Sequence, residues 1–238
     1  MKANLAIAVS GIILATAWVV AQTPASGEAP SFTATTANVG GAPDSIRIEL
    51  LRWSTDAEGQ ALMSAWNMTG GEGRAGRGGG QARGGGRGGR GGRGGRGADS
   101  GDSAPPPTPE SSLAAALQTA PTDGYLWSSE IAGYAIRYAG KVATADGGER
   151  VILITDRRLG NTNNLWTLPG GVAPAPRDFS VIELRLNAKG EGEGRVSITG
   201  KLSPDTAAKI VAAENYDALP VVLKNVKQQA GSTERKER

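Results

Sequence analysis

Residues 180–202, SVIELRLNAKGEGEGRVSITGKL, decide the fold. Ile182, Leu184 and Leu186 alternate with Glu183 and Arg185, the period-two pattern of a strand with one buried face. Val196 and Ile198 resume that alternation after GEGEG, residues 190–194, whose three glycines predict a turn. An antiparallel hairpin follows from the three pieces together.

Working outward, residues 149–155 (ERVILIT) place Val151, Ile152, Leu153 and Ile154 in a row, which suits a central strand covered on both faces. Asp146-Gly147-Gly148 predicts the turn that joins it to a strand over residues 133–142, where Tyr134, Ile136 and Tyr138 alternate with Ala135, Arg137 and Ala139. Residues 157–177, with three prolines, read as irregular. Earlier in the chain, residues 32–39 and 45–53 form a second expected hairpin around the turn at residues 40–44, with Leu51 and Trp53 breaking the phase as a bulge would. Later, Ser203-Pro204-Asp205 predicts a turn, and residues 206–216 fit helix or strand, strand being favoured. Residues 219–226 close the sheet, with Pro220 suggesting an edge.

Two helix starts interrupt the strands. Thr55 with Glu58 three residues on is a capping box, and Thr108-Pro109 puts proline at the first helical position. Leu113 and Leu117 share a face, and Pro121 ends the second helix. The expected fold is mainly β (α+β): a single antiparallel β-sandwich or barrel over residues 32–226. A short helical hairpin decorates it, split by an insertion at residues 70–109.

That insertion begins with residues 70–98, GGEGRAGRGGGQARGGGRGGRGGRGGRGA. Its charges are Arg74, Arg77, Arg83, Arg87, Arg90, Arg93 and Arg96 against Glu72 alone. Glycine loses the most entropy on ordering, and no apolar side chain here repays that cost, so disorder is expected. The chain's net charge is +3 and residues 70–98 contribute +6, so the remainder carries −3. Polyanion binding is therefore expected to map to these arginines. The competing reading is a repeat expansion tolerated in a surface loop.

Residues 1–21 carry Lys2, an apolar run over residues 5–20 and Val19-Val20-Ala21 at a small-residue cleavage site, which together predict a secretory signal peptide. Residues 22–31 read as a flexible leader and residues 227–238 as a charged tail; a periplasmic or secreted location is expected, with no stable membrane span after cleavage. The chain has no cysteine and no histidine. That excludes disulfides, thiolate metal sites, cysteine nucleophiles and serine–histidine triads, and it shifts expectation away from enzymes and from cofactors.

The composition of residues 70–98 resembles the RGG boxes of RNA-binding proteins, without interleaved aromatics. Residues 31–58, 124–139 and 181–202 resemble segments of an uncharacterised family of exported bacterial proteins, a resemblance that implies no activity and no site residues. Two further groups invite chemistry. Tyr125, Trp127, Tyr134 and Tyr138 read either as a groove for sugar rings or a hydrophobic ligand, or as same-face packing. Glu130 and Asp156 are the minimum for a carboxylate-based glycan hydrolase, with a local ion pair among Asp156, Arg157 and Arg158 as the simpler reading. Glu191 and Glu193 supply too few oxygens for a calcium loop. The expectation is thus an exported, non-enzymatic β-domain binding anionic polysaccharide, lipid headgroups or extracellular nucleic acid, with RNA binding or glycan hydrolysis as alternatives.

Overall fold

The computed structural model describes residues 29–41, 45–67, 106–127, 133–161, 166–219 and 221–229. Ten strands and two α-helices are seen among them: β1 (Ser31–Ala37), β2 (Ser45–Leu50), α1 (Asp56–Asn67), α2 (Pro109–Thr119), β3 (Gly124–Trp127), β4 (Gly133–Ala143), β5 (Glu149–Thr155), β6 (Val181–Leu186), β7 (Glu191–Ser197), β8 (Leu202–Asp205), β9 (Ile210–Ala213) and β10 (Val221–Gln229). Eight of these close into an antiparallel barrel in the order β1-β10-β7-β6-β5-β4-β3-β2. Of the sandwich and the barrel, the chain forms the barrel.

An eight-stranded barrel is just narrow enough for side chains to fill. Phe32, Ile48, Leu126, Tyr134, Ile136, Val151, Leu153, Ile182, Leu184, Val196, Leu223 and Val226 fill this one. Leu159, Trp166 and Leu168, from the irregular segment after β5, join the same core and are themselves buried. Charged side chains such as Arg47, Glu49 and Arg185 stand on the outer wall. This is the reverse of the apolar-out, polar-in pattern of membrane-spanning barrels. Among the described residues, no helix is long and apolar enough to cross a membrane.

Two excursions form a second layer outside the wall. One is α1 and α2, between β2 and β3; the other is the β8–β9 hairpin, between β7 and β10. Leu62, Trp66, Leu113, Leu117, Ile210 and Val211 pack with Ile152, Ile154 and Val181. Hence β5 is buried on both faces, as its four consecutive apolar residues require. Both expected helix starts form, and the second carries a capping box that was not expected. Thr55 N–H donates to Glu58 Oε2 at 2.7 Å while Glu58 N–H donates to Thr55 Oγ1 at 3.3 Å. At α2, Thr108 and Ser111 make the same reciprocal pair.

The chain departs from expectation at several turns. The turn after β6 comes earlier than GEGEG suggested: Gly190 N–H donates to Asn187 O, and β7 runs straight through Gly192 and Gly194. A Cβ on Gly192 would lie 1.9 Å from Arg185 O, so that glycine serves close strand approach rather than turning. Ser203-Pro204-Asp205 lies in β8, and the turn follows it, where Asp205 Oδ1 accepts from Ala207 N–H and Ala208 N–H at 3.0 and 2.9 Å. Only Ile210–Ala213 of residues 206–216 is strand. β10 is not an edge: it pairs with both β1 and β7, and it extends past Val226 to Gln229. Asn225, at φ 53°, sits where its register shifts.

Candidate functional site

The seven arginines of residues 70–98 (Arg74, Arg77, Arg83, Arg87, Arg90, Arg93, Arg96) lie outside the described residues, as do the expected signal peptide and Glu130. What is described is their frame. α1 ends at Asn67 and α2 begins at Pro109, and each carries its own cap and buried anchors, Leu62 and Trp66 on one, Leu113 and Leu117 on the other.

The four aromatics do not line one groove. Tyr134 is buried inside the barrel, where its hydroxyl accepts from Gly160 N–H at 3.1 Å. Between Ile136 and Tyr138, β4 takes two residues against one on β5, a bulge at Arg137. The extra residue turns Tyr138 outward, beneath the helices, where burial pushes its phenol up to about 12. Strict alternation would have kept Tyr134 and Tyr138 on one face; the bulge separates them.

Tyr125 and Trp127 remain together on the outer wall, ring centroids 5.8 Å apart and tilted by 34°. Tyr125 is exposed and Trp127 half-buried. Gly133, the cross-strand partner of Trp127, has its Cβ position 2.9 Å from the six-membered ring, so the indole lies against bare backbone. Trp127 Nε1–H donates to Glu49 Oε2 at 3.2 Å, and Glu49 Oε1 is 3.0 Å from Arg47 Nε. The barrel register sets these side chains in two adjacent rows, Thr33–Arg47–Trp127–Gly133 and Ser31–Glu49–Tyr125–Ala135, across β1 to β4.

Asp156 is 3.4 Å from Arg157, the local ion pair expected at this strand end. Arg157 also donates to Gly133 O at 2.5 Å and lies over the Tyr134 ring. Glu191 is 3.6 Å from Lys227, and no group of three or more possible metal-binding side chains converges among the described residues.

A polar network that local sequence gave no sign of joins the β2–α1 loop and the first turn of α1 to Asp123, just before β3, and to β4. Asp123 is buried; one carboxylate oxygen accepts from the Ser54 hydroxyl and the other is 2.6 Å from Arg52. Ser54 Oγ in turn accepts from Ala139 N–H at 2.8 Å, and Arg52 makes two bonds, 3.0 and 2.8 Å, to Glu58. Burial raises the Asp123 carboxyl above its ordinary range. The bonds from Arg52 hold Glu58 down at about 2. Asp123 Oδ2 is hydrogen-bonded to Ser54, while Oδ1, buried without a hydrogen bond, faces the Arg52 guanidinium as an ion pair, and through these contacts the network fastens the helix layer to the barrel.

A cleft of about 530 Å³ lies between the β8–β9 hairpin with Tyr216 and the wall of β5 and β6. Its cations are paired within it: Arg150 with Asp205 at 2.5 Å, Arg185 with buried Glu183 at 3.1 Å, and the Arg185 guanidinium over the Tyr216 ring at 3.6 Å. Burial pushes Tyr216 up to about 12, so its phenol stays neutral. No protein-family model, curated protein or solved structure matches the chain.

Proposed function

We propose that the chain is a non-enzymatic, exported binding barrel of the cell envelope that engages anionic polymers through the arginines of residues 70–98. One observation carries this reading: +6 of charge is confined to 29 residues of a chain whose remainder is −3. The frame supports it, because α1 and α2 are capped and anchored independently of the stretch between them. A filled barrel with a fastened helix layer is a scaffold that can carry such a segment at little thermodynamic cost, about 2 kcal/mol more than a five-residue loop.

The test compares the full chain with a variant lacking residues 70–98, using heparin and an oligo(dT) strand as probes. The full chain should bind with steep salt dependence, reaching a log–log slope of at most about −5 on the single strand if all seven arginines meet phosphates. The deletion should remove that dependence and keep the thermal transition. Unchanged heparin binding after deletion would sink the proposal. Fractionation of the native host, with sequencing of the mature N-terminus, tests the location: full-length protein in the cytoplasm would replace envelope polymers with RNA as the partner.

A further inference from the structure

We infer that the outer wall at Tyr125 and Trp127 is a binding platform for an uncharged, linear glycan, separate from the arginine-rich segment. The sheet itself fixes the platform. Trp127 rests on Gly133, and its Nε1–H is tied to Glu49, so the indole is held in place before any ligand arrives. Tyr125 extends the surface at 5.8 Å, and Ala135 opposite it is too small to cover the ring. Aromatic faces carry negative potential, which suits the C–H-lined face of a pyranose ring.

The polar groups beside the rings narrow the class. Arg47 and Glu49 are 58% and 43% exposed, so beside the rings the guanidinium keeps further donors, and the carboxylate further lone pairs, open to the hydroxyls of a ligand. A nucleic-acid strand would also stack, but it would bring phosphates up to the Glu49 carboxylate. The adjacent cation, Arg47, is already engaged with that carboxylate. A neutral polyol meets no such opposition. The rows continue from Trp127 through Arg47 to Thr33, two strand spacings or about 10 Å, which is more than a single pyranose ring needs. That length favours a chain over a monosaccharide.

The experiment is titration calorimetry of the full chain with cellohexaose, xylohexaose, chitohexaose and maltohexaose in about 1 M NaCl, where the screening length falls to about 3 Å and the arginine-rich segment is silenced. At least one hexasaccharide should bind, and Tyr125→Ala and Trp127→Ala should each weaken it about tenfold. Gly133→Ala should weaken it as well, although both rings remain, because the new methyl group displaces the indole. If Trp127→Ala does not fold, Tyr125→Ala at the exposed ring decides the matter. The inference is overturned if no hexasaccharide binds, if the variants bind like the parent, or if oligo(dT) rather than a glycan binds in a Trp127-dependent manner. High salt and a neutral probe keep this outcome independent of the polyanion proposal.

Discussion

Asp123 offers a test in which removing a charge and removing an acceptor give opposite results. Its backbone is fixed separately: Asp123 N–H donates to Ile136 O at 2.8 Å, and Asp123 O accepts from Leu51 N–H at 2.8 Å. A side-chain substitution therefore leaves the strand pairing alone. In Asp123→Ala, the half-buried Ser54 hydroxyl loses its acceptor, a cost of about 1–3 kcal/mol, and the lost carboxyl volume adds a small cavity. Relief of carboxylate burial offsets part of this, so the net loss should be about 2 kcal/mol. Asp123→Asn keeps an oxygen for Ser54 and discards only the charge. Arg52, whose side chain is 36% exposed, keeps its two bonds to Glu58 and can turn from the new amide. Because burial raises the Asp123 pKa in the folded state, its favourable contribution is complete below the unfolded carboxylate value of about 3.9 and is lost as pH rises through the folded value. The Asn variant does not titrate, so it should gain on the parent as pH rises and match or exceed it at neutral pH. Urea unfolding followed by tryptophan fluorescence, at pH values from acid to neutral, measures both changes. An Asn variant as unstable as the Ala variant at neutral pH would refute the assignment of burial as the dominant influence.

Glu58→Gln should have the opposite pH signature. Glu58 is held at about 2, so its contribution is present above the unfolded glutamate value of about 4.3 and disappears as pH falls through about 2. After allowance for solvent screening it should amount to about 1 kcal/mol at neutral pH, read from the same unfolding curves. Gly192→Ala should destabilise the barrel by about 2 kcal/mol or more, because the methyl group meets Arg185 O and Leu186 Cα, both backbone; a thermal midpoint equal to the parent's would show the strands can part freely there. Leu117→Ala, in a fully buried position shared with the outer face of β5, should cost about 2–5 kcal/mol while unfolding stays a single transition by circular dichroism and fluorescence. Two separated transitions would mean the helix layer melts alone.

The features legible in sequence were those with local causes. The alternation of Ile182, Leu184 and Leu186 marked β6, the unbroken Val151 to Ile154 run marked a doubly covered strand, and Thr55–Glu58 and Thr108–Pro109 marked helix starts. What escaped was set by the exact register between strands and by partners distant in the chain. Gly192 and Gly194 looked like turn residues because glycine signals a turn and a close strand approach alike, and only the register against β6 tells the two apart. Pro204 signalled a turn but sits in the short β8–β9 ladder, and Pro220 signalled an edge that closure abolished. The β3–β4 register puts Tyr134 opposite inward-facing Leu126 and the bulge at Arg137 turns Tyr138 out beneath the helices, so Tyr125 and Trp127 are left as a separate surface pair. Asp123 paired with Ser54, 69 residues away, and nothing local to either residue announces that contact.

The seam between β1 and β10 has a consequence for how the domain can be built and reused. Ser31 lies opposite Gln229 and Ala37 opposite Val222, so the barrel closes through pairings that span nearly the whole described chain. Such contacts form only after the entropy of bringing distant segments together has been met, so ring closure should be the slow, late event of folding. A ribosome-bound chain that still lacks its last strand would hold an open sheet, with the edges of β1 and β7 unpaired and available to neighbouring chains. The same geometry brings Ser31 and Gln229 side by side, so a short linker could join them and new ends could be opened at the Asp146-Gly147-Gly148 turn. The resulting circular permutant would keep every rung of the ladder while moving its closing step to a different pair of strands.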